Sequence, residues 1–112
     1  MGFNGRGGFG GGMQQQNAMM KQIQKLQEEM KLAQEELEES EVVGSAGGGL
    51  VEITLSGKKE MVAISIKPDA IDPDDIEFLE DLIVAAYNAA SDAVDSLSEE
   101  KLGKFGNLGG LM

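Results

Sequence analysis

The chain has 112 residues, of which 41% are hydrophobic, 26% charged and 4% aromatic, a length that suits one domain. It contains no cysteine, histidine or tryptophan, so disulfides, thiolate and imidazole chemistry and Cys- or His-based metal sites are excluded. No apolar run approaches the roughly 20 residues of a membrane span. The composition therefore predicts a non-enzyme without cofactor, metal or membrane contact.

The net charge of −11, from 20 acids and 9 bases, argues against indiscriminate nucleic-acid binding. Its distribution is uneven. Residues 1–34 carry Arg6, Lys21, Lys25 and Lys31 against Glu28 and Glu29, a net of +2, and residues 1–27 hold no acid. Residues 67–102 carry 2 bases and 11 acids, a net of −9. The basic charge gathers at one end.

Residues 1–12 (MGFNGRGGFGGG) contain seven glycines and predict a flexible arm, since glycine loses the most backbone entropy on ordering. Arg6-Gly7-Gly8 between Phe3 and Phe9 resembles an RGG segment, but one copy reads more simply as part of that arm. From Met13 to about Glu39 strong helix formers take over. Met19, Ile23, Leu26, Met30, Ala33 and Leu37 alternate spacings of four and three, a packed helical stripe. Such a helix is roughly 40 Å long, against a radius of gyration of about 13 Å for a fold of this size. A second copy of the chain is the simplest cover for the stripe.

Val42-Val43 opens a short strand that ends at the Gly47-Gly48-Gly49 turn. Val51, Ile53 and Leu55 alternate with Glu52, Thr54 and Ser56, a strand with one dry face. After the Ser56–Lys59 turn, Val62, Ile64 and Ile66 form a third strand. Short connections predict an antiparallel meander. Asp72-Pro73-Asp74-Asp75 then reads as a helix start, with Asp72 as N-cap and Pro73 in the first turn. That helix runs to about Lys101 and stops at Gly103. It carries one apolar stripe to cover the sheet and an alanine-rich one for close approach of another helix. Residues 103–112 predict a flexible tail. The expected organisation is thus an arm (1–12), one α+β domain (13–102) and a tail, assembled as a two-fold dimer. Leu82, Ile83, Ala86, Ala89, Ala90 and Ala93 are the expected interface.

Candidate sites weigh unequally. Gly47–Gly49 leads into a strand rather than a helix, so it reads as a hairpin turn and not a phosphate cradle. The Asp72–Asp75 cluster lacks the ligand spacing of a calcium loop, and helix capping accounts for it. Glu35–Glu41 read as a solvated face, and Lys58 and Lys59 as exposed turn residues. Lys21, Lys25 and Lys31 lie on the long helix among glutamines, and Gln22 and Gln24 suit contacts to phosphates and base edges. Taken alone, these residues fit either DNA contact or ordinary surface lysines.

Four segments carry a resemblance: Met19–Gln27 (MMKQIQKLQ), Val43–Gly57 (VGSAGGGLVEITLSG), Val62–Ile66 (VAISI) and Leu79–Ala90 (LEDLIVAAYNAA). The chain resembles the YbaB/EbfC family of bacterial nucleoid-associated proteins over nearly its whole length. The resemblance implies a small α+β homodimer with helices projecting like tweezers. It also implies cytoplasmic, nucleoid-localised binding of double-stranded DNA that alters DNA conformation, in nucleoid organisation or gene regulation. The lysine and glutamine assignments, with Arg6 on the arm, remain readings of this sequence. Asp92, Asp95 and Glu99 stand on the last helix where a DNA-facing helix would carry bases, and they favour an alternative. In that alternative the protein is an adaptor for replication or recombination proteins with little DNA affinity.

Overall fold

A computed structural model of the chain describes residues 2–106, with side chains from residue 17 onward. The element order is α1 (Gly2–Glu39), β1 (Glu41–Ala46), β2 (Val51–Ser56), β3 (Met61–Ile66), a 3-10 turn at Pro68–Ala70, α2 (Ile76–Leu102) and a 3-10 turn at Gly103–Phe105. The chain divides into two compact units, Met1–Leu32 and Ala33–Met112. The helix–sheet–helix order and the antiparallel meander β1-β2-β3 agree with the sequence reading. α1 begins before residue 13 and runs through the glycine-rich stretch expected as an arm. Extending an existing helix adds one hydrogen bond for each residue fixed. The side chains of 2–16, Arg6 included, lie outside the described residues.

In the second unit, Val51, Ile53 and Leu55 of β2 are fully buried, as the alternation requires. They pack with Ala70, Leu82, Ala86, Ala90 and Val94, and with the partly buried Val42, Leu50, Ile66 and Ile83. Each buried Val, Leu or Ile contributes about 1.5–3 kcal/mol. α2 lies over β1 and β2. Its buried stripe is Leu82, Ala86, Ala90 and Val94, one residue per turn.

Of the residues expected at a dimer interface, Leu82, Ala86 and Ala90 pack into the core of their own chain. The small side chains accommodate β1 rather than a second helix. Gly44 sits directly against the α2 backbone, where an added Cβ would overlap the Ala86 carbonyl oxygen and the Ala90 nitrogen. Ile83 and Ala93 are partly exposed and Ala89 is exposed.

The start of α2 also differs from expectation. Asp75 is the N-cap, its carboxylate accepting the Phe78 N–H at 3.2 Å. Asp72 instead closes a turn: its carboxylate accepts the Asp74 N–H (2.9 Å) and its carbonyl the Asp75 N–H (2.9 Å). Proline suits the second position of such a turn as well as the first turn of a helix. At the other end Gly103 keeps right-handed dihedrals, so the chain turns on without a left-handed cap. Phe105 is only 5% exposed, which corrects the expectation that the tail is loose from Gly103. Residues 107–112 lie outside the described residues.

Candidate nucleic-acid interface

Glutamine, lysine, methionine and leucine lose little rotamer freedom in a helix, so residues 17–32 present their side chains from regular α1 positions. Successive residues turn by about 100°, which fixes what each face displays. Lys21 and Lys25 stand one turn apart on one face, with Gln22 and Gln24 to either side. Lys31 lies beyond Gln24, rotated by about 80° from Lys21. Lys21, Gln22, Gln24, Lys25 and Lys31 are all exposed. Among the described residues none of these lysines makes an ion pair, so their charges are free for an anionic partner. Glu28, seven residues after Lys21 and three after Lys25, lies on the same face, between those lysines and Lys31.

The apolar stripe of α1 lies on the opposite side of the same helix. Met19 and Ile23 keep 61% and 49% of their surface, and Met30 is also exposed. Only Leu37, at the C-terminal end of the stripe, is buried. α1 is therefore two-sided from residue 19 to 31: basic and amide-rich on one face, apolar and uncovered on the other.

The C-terminal end of α1 is fixed locally. The Ser40 hydroxyl donates to the Glu36 carbonyl (2.7 Å), and the Gly57 N–H donates to the Ser40 carbonyl (3.1 Å). A Cβ at Gly57 would overlap the Leu37 carbonyl. Lys101 of α2 reaches Glu36 at 3.6 Å. The strand hairpin thus holds the last turn of the helix from below.

The other lysines are placed differently. Lys59, in the β2–β3 turn, adopts a left-handed backbone (φ 64°) that favours glycine. Its N–H donates to the Ser56 carbonyl at 2.8 Å, and its Nζ meets Asp95 Oδ1 at 2.9 Å. That side-chain hydrogen bond, followed by the charge of Asp95, raises the Lys59 pKa above 10.5. Lys59 is therefore a tie between the turn and α2. Sequence reading missed this pairing because Asp95 is 36 residues away. It also missed Gly44 and Gly57, whose only signal is a glycine inside or beside a strand.

A sequence profile of the YbaB/EbfC DNA-binding family matches residues 11–110. A nucleoid-associated protein of Agathobacter rectalis is 51% identical over 107 residues, covering 94% of this chain and 95% of its own length. One from Ruminiclostridium cellulolyticum is 49% identical over 111 residues, covering 98% and 93%. Among solved structures, an uncharacterized Helicobacter pylori protein shares the fold with a TM-score of 0.52 at 21% identity, over 75% of this chain and 89% of that one. Relatives at about half identity over nearly full length, with a profile match of the same extent, establish that this chain belongs to the YbaB/EbfC DNA-binding family.

Proposed function

We propose that the chain is a nucleoid-associated protein that binds double-stranded DNA as a homodimer. In this reading it alters DNA conformation, organises the nucleoid or regulates genes, and resides in the cytoplasm on the nucleoid. The observation that carries the proposal is the two-sidedness of α1, with exposed Lys21 and Lys25 flanked by Gln22 and Gln24 opposite a stripe on which Met19, Ile23 and Met30 are exposed. A second copy covering the stripe leaves the basic faces outward and duplicates them, so that two clusters contact one duplex.

The net charge of −11 makes the distant field repulsive. Binding then relies on lysines close to phosphates, where a Debye length of about 8 Å in physiological salt shields the acidic remainder. Lysines supply affinity through counterion release. Base preference falls to Gln22 and Gln24, which suit adenine edges in the major groove. The test is Lys21→Glu/Lys25→Glu, assayed by gel shift on generic and palindromic duplexes. The double variant keeps its oligomeric state and loses most DNA affinity; binding equal to wild type would remove α1 as the DNA-contacting element. The acid-rich stretch 67–102, with its net of −9, favours a second reading as an adaptor for replication or recombination proteins. Absence of wild-type binding at about 50 mM salt, where phosphate contacts are strong, selects it.

A further inference from the structure

All seven glutamines of the chain fall within α1. Two of them share a stripe with one apolar and one basic side chain. Met20, Gln24, Gln27 and Lys31 are spaced four, three and four, which keeps them within about 60° of one another around the helix. All four are exposed, Met20 by 57%. The only acids from residue 17 to 32, Glu28 and Glu29, lie outside the stripe, Glu28 with Lys21 and Lys25 and Glu29 farther round. Gln22 stands about 160° from Gln24, so only Gln24 of that pair belongs to the stripe.

These groups suit base edges better than phosphates, because three of the four are uncharged. A glutamine amide donates and accepts at once, which matches the N6 donor and N7 acceptor of adenine. The thioether chain of methionine is apolar and flexible, which suits the methyl group of thymine. From Met20 to Lys31 the helix rises about 16 Å, the length of about five base pairs at roughly 3.4 Å each. The major groove of B-DNA, about 12 Å wide, admits an α-helix. With this stripe on the groove floor, Lys21 and Lys25 stand roughly a quarter-turn away, toward the phosphates of the groove wall.

We infer that Met20, Gln24, Gln27 and Lys31 are the base-reading stripe of α1 and select A·T pairs through the major groove, with Gln24 and Gln27 on adenine and Met20 on a thymine methyl. The inference rests on the DNA-binding reading and names the residues that give it a sequence preference. Charge complementarity selects the occupant. Lys31 adds to Lys21 and Lys25, the stripe itself holds no acid, and the amide and apolar groups between find their counterparts on base edges. Double-stranded RNA does not fit, since its deep, narrow major groove closes the base edges to side chains.

The test titrates the full chain, as wild type, Gln27→Ala and Met20→Ala, against four duplexes by fluorescence anisotropy. One duplex has an A·T core and one a G·C core. The third replaces thymidine with deoxyuridine, which lacks the methyl group, and the fourth replaces deoxyadenosine with its 7-deaza analogue, which lacks the N7 acceptor. Both substituted side chains are exposed and alanine is the best helix former, so α1 is retained. Wild type binds the A·T core more tightly than the G·C core. It loses about fourfold on deoxyuridine, the worth of one apolar carbon, and about fivefold or more on the 7-deaza duplex. Met20→Ala abolishes the first penalty and Gln27→Ala shrinks the second. Equal wild-type binding to all four duplexes, or penalties that the variants leave unchanged, overturns the stripe and leaves the DNA-binding reading standing. A wild type that binds none of them overturns both.

Discussion

Gly44→Ala adds one methyl where the fold has no room for it. Its Cβ would collide with the Ala86 carbonyl oxygen and the Ala90 nitrogen, and it would lie 2.7 Å from the Ala90 Cα. All three are main-chain atoms of α2, so no rotamer change relieves the overlap. Either β1 bends away or the helix lifts from the sheet and loosens Ile53 and Leu55 beneath it. Overpacking of this kind costs about 1–3 kcal/mol, and the rigid neighbours place Gly44→Ala at about 3 kcal/mol. The entropic gain from replacing glycine offsets only about 0.4–1 kcal/mol. At about 4–8 °C per kcal/mol, a net loss of about 2 kcal/mol lowers Tm by about 8–16 °C. Thermal and urea denaturation at fixed protein concentration measure it. Gly48→Ala is the control, with nothing within 4 Å of its Cβ and only the cost of its positive φ of 69°. Equal stability of Gly44→Ala and wild type would refute the close seating of α2 on β1.

Phe105→Ala removes a buried aromatic and is expected to cost about 3–5 kcal/mol, read as a lower urea midpoint. Asp75→Ala deletes the α2 cap and costs about 1 kcal/mol by the same assay. The Lys59–Asp95 pair predicts a pH dependence. The folded pKa of Lys59 is raised above 10.5, so its contribution is fully present below 10.5 and fades as pH rises through the folded value. Asp95→Asn therefore flattens the alkaline loss of stability above pH 10.5, which denaturation at stepped pH detects.

The parts of the fold that were legible are those where one local pattern has one meaning. Val51, Ile53 and Leu55 alternate because a single sheet face is buried, and that period survives any tertiary context. The helical span of α1 was legible from its run of helix formers, whereas its apolar stripe is buried only at Leu37. The alanines of α2 were not legible, because a small residue permits close approach without naming what approaches; the answer, Gly44, is more than 40 residues upstream. Asp72, followed by Pro73, fits the sequence pattern of a helix start, and only the backbone shows that it closes a turn and leaves the cap to Asp75. Phe105 stands alone among glycines, and nothing nearby signals its burial. At the candidate site, Lys21 and Lys25 were legible as exposed helix charges. The exposure of Ile64 on β3 was hidden because alternating apolar residues promise a covered face, and only the placement of α2 over β1 and β2 reveals which strand it leaves open.

The salt dependence of DNA affinity tests the central claim most directly. Arg6, Lys21, Lys25 and Lys31 of two copies would neutralise at most about eight phosphates, and the spread of the lysines around α1 brings about four into contact, so log K falls against log salt with a slope of roughly −3 to −4. A fluorescence-anisotropy titration of a generic duplex at stepped salt measures that slope, and Lys21→Glu/Lys25→Glu brings it close to zero. A wild-type slope near zero, or a slope that the double variant leaves unchanged, contradicts DNA binding through the basic face of α1.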